Sequence, residues 1–394
     1  MTQFTTRTTS PFRYDIVGSF LRPQKLKEAR NDFAQGKINQ EQLTEVENQC
    51  ITELVNKEAA AGLNAVTDGE FRRSYWHLDT FWGFAGIKHT TQEHGYLFHD
   101  EETRNDSAQV AGKISFKPGH PDVEAFKFLK SLTDGKDVTP RQSIPAPAQF
   151  YAELVRGDEN IAALRKYYPT DDELFHDIAK AYHDLILALY DAGCRDVKID
   201  DCTWGMVVDD EFWATMAKAG FDREALENTY LKLNNDAIAD LPDDLTVTTH
   251  ICRGNYHSTW AAKGGYGPVA DHLFAKENVQ AFYLEYDSDR AGSFEPLAKV
   301  PDDKYVVLGL VTSKSGDLED PQTIIDRIKE AAEFHPLDHL CLSTQCGFAS
   351  TEEGNILTKI KNGQRLSLLK KLQNRYGARE CEAAENLRKV SNFS

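Results

Sequence analysis

The chain has 394 residues, 41% of them apolar, which is enough for a large buried core, and (β/α) barrels reach this length as a single unit. Its formal charge of −17 and pI near 5.2 argue against polyanionic partners such as nucleic acid or an anionic membrane surface. No run approaches the ~18 consecutive apolar residues of a membrane helix and the amino-terminal MTQFTTRTTSPFRYD lacks a signal-peptide core, so a soluble cytoplasmic protein is expected.

In chain order, short runs of strand character alternate with helical segments. DIVGSF (15–20) is followed by two long helical stretches within 24–62, expected to pack outside the sheet. AVTDGEF (65–71) comes next. A polar segment at 88–120 then interrupts the pattern, and its GYLF and GKISF pieces suggest a β-hairpin on the rim. RQSIPAP (141–147) precedes a periodic helix at 175–193 that stops at Gly193, where a helix C-cap would put it. DVKIDD (196–201) leads into a long loop at 204–222, and TVTTHIC (246–252) into another at 253–266. AFYLEYD (281–287) and YVVLGLVT (305–312) follow. A helix at 320–334 has Asp320 as N-cap before Pro321, and HLCLSTQ (339–345) is the last strand. Eight strands alternating with helices predict an α/β fold of the (β/α)8 TIM-barrel type. The expectation is one domain over 1–394, with a helical extension at about 23–62 and a hairpin insertion at about 88–120. A doubly wound open sheet is the alternative, but no G-x-G-x-x-G or P-loop follows the first strand.

Polar residues collect at the carboxyl ends of these strands, where barrels carry their working groups. Gly18 and Ser19 close the first, with backbone amides suited to a carboxylate. Asp68 and Glu70 close the second, and Asp200 and Asp201 the fourth; two acids facing a ligand suit an ammonium group. His250 and Cys252 are two residues apart and share a strand face. Glu285 and Cys346 end later strands. Two sulfurs, an imidazole and a carboxylate suit zinc by ligand softness. Each has an ordinary reading as well: a satisfied rim histidine, a buried cysteine acting as a small hydrophobe, a glutamate paired with a base. Their coincidence at one end of the strands favours the metal. The seven cysteines (50, 194, 202, 252, 341, 346 and 381) are odd in number and sparsely spaced, as expected of free or metal-bound thiols in a reducing compartment.

VGSFLRP (17–23), DGEFRR (68–73), VKIDD (197–201), THIC (249–252), LEYD (284–287) and STQCGF (343–348) occur in an order that resembles the cobalamin-independent methionine synthase family. The likeness is to short, single-barrel relatives of its C-terminal catalytic half. It implies zinc at His250, Cys252, Glu285 and Cys346, and homocysteine held by Gly18 and Ser19 at its carboxylate and by Glu70 and Asp200 at its ammonium. The implied partners are small molecules, homocysteine and a methyl donor, with no nucleic acid or membrane. The chain departs from the family pattern in several places. It has no room for a second, amino-terminal barrel, and Lys314 stands where the family's proton-shuttling histidine is expected. Asp201 and Cys202 replace the Glu and Pro of an IDEP-type motif, and SIPAPAQFY offers no folate-stacking tryptophan.

The chemistry so implied is transfer of a methyl group to the homocysteine thiol, giving methionine, from methyltetrahydrofolate or a methylcorrinoid. Glu285, a hard oxygen donor, would be the displaceable ligand and Lys314 a substitute acid. Two other readings stay open. One is a zinc thiol-coenzyme methyltransferase or a uroporphyrinogen-decarboxylase-like barrel, which would not need both Glu70 and Asp200. The other is a non-catalytic zinc or thiol-binding module, which would lack an amino-acid pocket.

Overall fold

The computed structural model describes residues 7–357 and 364–372, so Cys381 lies outside the described residues. The eight expected strands are present, most within a residue or two of their predicted ends: β1 Tyr14–Asp15, β2 Ala65–Val66, β3 Gln142–Pro145, β4 Asp196–Asp200, β5 Thr246–Ile251, β6 Ala281–Glu285, β7 Tyr305–Val311 and β8 Leu340–Thr344. Seven of them form one parallel sheet in the order β1-β8-β7-β6-β5-β4-β3. β2 instead pairs with the two-residue strand Thr139–Pro140 just before β3. The fold is therefore mixed α/β with a curled parallel sheet.

β1 and β2 are shorter than expected, for a local reason. The carbonyls of Ile16 and Val17 accept from Lys198 Nζ at 2.6 and 3.0 Å, and Arg141 also donates to Ile16. These acceptors are thus lost to a strand ladder. β1 and β2 meet instead through Thr67 Oγ1 donating to the Gly18 carbonyl (2.6 Å) and Phe20 N to that of Gly69 (3.1 Å). The continuous eight-strand ladder expected from sequence is interrupted here.

Alternation along each strand sorts side chains between two faces. Phe282, Leu284, Val306, Leu308, Leu340 and Leu342 join the large core shared with the helices. Tyr283, Val307 and Cys341, in register with one another, form a separate cluster on the opposite face. On that inner face a buried ionic network ties distant strands together. Arg141 donates to both oxygens of Asp15 (2.6 and 2.9 Å) and to Asp196 (2.8 Å), and the Tyr283 hydroxyl donates to Asp15 (2.7 Å). Burial works to raise the Asp15 carboxyl, but the adjoining Arg141 overcomes it and holds the group below its usual range. Arg141 beside β3 and Asp15 on β1 belong to opposite ends of the sheet order, so their contact records the curl.

The outer helices follow their sequence signals. Helix Asp171–Asp191 buries Leu174, Ile178, Tyr182, Leu185 and Leu189 at helical spacing, opens on three acids that suit its positive end, and is followed by Gly193 at φ +97°. Helix Gln40–Ala61 carries a capping box between Asn39 and Gln42, and Asp320 caps helix Pro321–Ala331 by accepting from Thr323 N at 2.9 Å. The hairpin is real but starts earlier than expected: its strands are Ala85–Thr91 and Asp106–Ser115, and GYLF lies in the connecting tip. The segment after β4, expected as a loop, contains helices Thr203–Val207 and Asp210–Lys218. No helix among the described residues is long and apolar enough to cross a membrane.

Candidate metal and amino-acid site

At the carboxyl end of the sheet, His250 closes β5 and Cys252 follows on the same face. Cys346 enters from the turn after β8. Their ligand atoms all lie within 4.8 Å of one another and all three side chains are buried. His250 Nδ1 lies 3.3 Å from the Tyr283 carbonyl, which can only accept, so this nitrogen carries the proton. Nε2 is left as a lone pair, buried and without a partner among the described residues. An orphaned imidazole nitrogen beside two thiols fits zinc, and the carbonyl bond fixes the required tautomer. Crowding by the Cys202 thiol and burial push the Cys252 thiol well up, so in the absence of a metal it is protonated.

Glu285 stands beside this trio, not within it. One carboxylate oxygen accepts from Arg253 N at 2.7 Å; the other pairs with Arg290, and Lys314 Nζ lies 3.9 Å from it. Burial opposes ionisation, but Lys314, Arg290 and Arg253 prevail and hold Glu285 below its ordinary value. Lys314 Nζ is itself buried with no hydrogen-bond partner among the described residues.

Two other acids lack such support. Glu70, held at φ +59° in the turn after β2, buries Oε2 without a partner among the described residues, and so does Asp200 with Oδ1. Burial pushes Glu70 up to about 8, Asp200 adding to the rise against the pull of Arg73. Burial likewise lifts Asp200 to about 7 against Lys198 and Arg73. The neighbouring acids have been used structurally. Asp68 caps the turn by accepting from Glu70 N at 2.8 Å. Asp201, one residue beyond Asp200, points to the other face and accepts from Thr203 N and Asn234.

Gly18 and Ser19 are joined to the metal trio through the turn after β8. A Cβ on Gly347 would fall 1.9 Å from Ser19 Oγ, and Phe348 N donates to the Ser19 carbonyl at 2.8 Å. The hairpin tip covers the loop after Cys252: His99 N donates to the Trp260 carbonyl at 2.8 Å and its ring stacks on Trp260. Sequence reasoning missed Arg253, Arg290 and Cys202 as neighbours of the site. Nothing periodic marks Arg290, which follows Glu285 through a turn. Cys202 is placed by strand register, which the sequence does not show: Asp200 pairs with His250, and this brings Cys202 beside Cys252.

Residues 150–367 match the family model for the catalytic domain of the cobalamin-independent synthase, more than half of the chain. This chain belongs to the cobalamin-independent methionine synthase family. An uncharacterised Bacillus subtilis relative, YxjH, is 47% identical over 352 residues, covering 89% of this chain and 90% of its own. A solved Listeria monocytogenes structure, named as a candidate vitamin-B12 independent methionine synthase, superposes with a TM-score of 0.73 at 38% identity over 93% of this chain and 98% of that one. A B12-independent methionine synthase from Shewanella sp. W3-18-1, solved with selenomethionine, shares the fold at TM-score 0.65 and 17% identity, covering 96% and 98% of the two chains.

Proposed function

We propose that this protein is a zinc-dependent methyltransferase that moves a methyl group onto the thiol of homocysteine, giving methionine, within a cytoplasmic (β/α)8 barrel of which β2 is the eighth stave. The observation that carries this is the juxtaposition of two unsatisfied sets: the buried trio His250, Cys252 and Cys346 with its open imidazole nitrogen, and the unpartnered carboxylate oxygens of Glu70 and Asp200. His250, Cys252 and Cys346 hold the metal, with Glu285 alongside as the weakest and most readily yielded donor. Zinc, when bound, supplies a position at which a substrate thiol loses its proton and becomes a nucleophile near neutral pH. Glu70 and Asp200 bind the substrate ammonium, Gly18 and Ser19 its carboxylate, and these contacts aim the sulfur at the trio. The selenomethionine of the Shewanella complex is the selenium analogue of the proposed product. Donor candidates are methyltetrahydrofolate and a methylcorrinoid; Lys314 is the acid for a leaving group that needs a proton.

The amino-group pocket separates this reading from that of a thiol-coenzyme methyltransferase. Homocysteine is expected to bind the zinc-loaded protein at least about tenfold more tightly than 4-mercaptobutyrate, because removing the ammonium strands two buried acids at about 1–3 kcal/mol each. Calorimetry giving equal affinities for both thiols would remove the proposed substrate.

A further inference from the structure

A third sulfur stands at the metal trio. Asp200 and His250 are paired in register on β4 and β5, and Asp201 N donates to the His250 carbonyl at 2.8 Å. Two residues further along each strand lie Cys202 and Cys252, and their sulfurs are 3.4 Å apart. Adjacent strands run ~4.8 Å apart, within the ~4.4–6.8 Å Cα separation a disulfide accepts. Gly205 keeps this arrangement tight, since a Cβ there would fall 2.0 Å from the Cys252 carbonyl. Cys252 and Cys346 are buried, whereas Cys202 is partly exposed, so Cys202 is the sulfur that a solvent-borne reagent meets first. It is also a position at which this chain leaves the family's IDEP-type motif.

We propose that Cys202 is an oxidation site for hydroperoxides, resolved by Cys252 as a reversible disulfide that removes a sulfur from the metal trio. The Cys202 sulfur attacks the peroxide oxygen; the O–O bond breaks, an alcohol or water leaves, and Cys202 becomes a sulfenic acid. The Cys252 sulfur then attacks the Cys202 sulfur, and the S–O bond breaks. Hydroxide departs as water, taking its proton from the Cys252 thiol or, where that sulfur is metal-bound, from solvent. The two electrons given up by the sulfurs reduce the peroxide, and a dithiol reverses the change by exchange. The consequence for the metal rests on the zinc reading above; the disulfide does not.

The test treats the zinc-loaded protein with hydrogen peroxide, follows zinc release with a colorimetric chelator, and locates cross-links by peptide mapping under non-reducing conditions. The expected result is a Cys202–Cys252 cross-link forming in step with zinc loss, both undone by dithiothreitol. Cys202→Ala and Cys202→Ser, each loaded with zinc beforehand, should then release it roughly tenfold more slowly or less, having lost the neighbouring thiol. A cross-link between Cys252 and Cys346, or equal zinc release from the parent and both variants, overturns the proposal. A chain that takes up no zinc sinks the function proposed above, and mapping of that metal-free chain after peroxide still decides whether Cys202 pairs with Cys252.

Discussion

Glu70 and Asp200 each carry a buried oxygen that nothing among the described residues satisfies, and their raised values of about 8 and about 7 follow from that burial. Because their folded-state values exceed those of an unfolded carboxyl, their contribution to the unliganded chain's stability is full below about pH 4, is lost progressively as the pH rises from there, and is gone by about 7 to 8. An ammonium seated between them favours the ionised forms and reverses the balance. Binding of methionine, which has no thiol to confuse the titration, should release protons at neutral pH, and its affinity should rise across the same window and then level off. Calorimetry in buffers of different ionisation enthalpy reads this directly; proton uptake on binding would place the ammonium elsewhere. Lys314 makes a second prediction at this scale. Its amine is buried beside Glu285 without a hydrogen-bond partner among the described residues. With a methylcorrinoid, whose leaving group needs no proton, Lys314→Ala should change turnover little. The parent should be poor with polyglutamylated methylfolate, because Lys314 stands where a proton-shuttling histidine is expected and SIPAPAQFY offers no tryptophan to stack on a folate. Brisk turnover of methylfolate that Lys314→Ala abolishes would make Lys314 the family's missing acid and reverse the donor preference.

Among the elements, the turn after β8 connects the two halves of the site. Gly347 leaves no room for a side chain against Ser19, and Cys346 precedes it. Gly347→Ala should therefore push Ser19 and the turn apart. Overpacking of this kind costs typically about 1–3 kcal/mol, and the expected outcome is a folded protein that keeps zinc but binds homocysteine more weakly. Unchanged affinity in a titration of that variant would separate Ser19 from the substrate. The elements also show where sequence was readable. β4 to β8 were legible almost to the residue because each is a short apolar run buried on both faces, with turn residues at its ends. β1 was overestimated because the carbonyls that would extend it, those of Ile16, Val17 and Gly18, are taken by Lys198, Arg141 and Thr67, side chains distant from it in sequence. The hairpin's first strand, AGIKHTT, was missed because its alternation is weak and largely exposed, while GYLF carried the stronger apolar signal and belongs to the tip.

On the scale of the whole molecule, the sheet carries two kinds of buried charge at different depths. Asp15, Arg141, Asp196 and Tyr283 bond to one another and hold the strands in register, with only Asp196 Oδ1 left over; removing one partner from such a network typically costs about 3–5 kcal/mol. Toward the carboxyl ends the buried groups stay unsatisfied, with His250 Nε2, Glu70 Oε2, Asp200 Oδ1 and Lys314 Nζ all lacking hydrogen-bond partners among the described residues. The residue types of the site were legible because His250 and Cys252 share a strand face and Cys346 closes another strand. The surroundings that decide their roles, Arg253 and Arg290 on Glu285 and Cys202 beside Cys252, depend on turns and register and were not.

The central claim is that His250, Cys252 and Cys346 bind zinc that accepts the homocysteine sulfur. X-ray absorption at the zinc edge, recorded on the loaded protein before and after homocysteine, tests it directly, because Zn–S contacts at ~2.3 Å are distinguished from N or O contacts at ~2.0–2.2 Å. The account predicts two sulfurs at zinc in the resting protein and three once homocysteine is bound. A sulfur count that does not change on adding homocysteine, or a protein that retains no zinc, would contradict it.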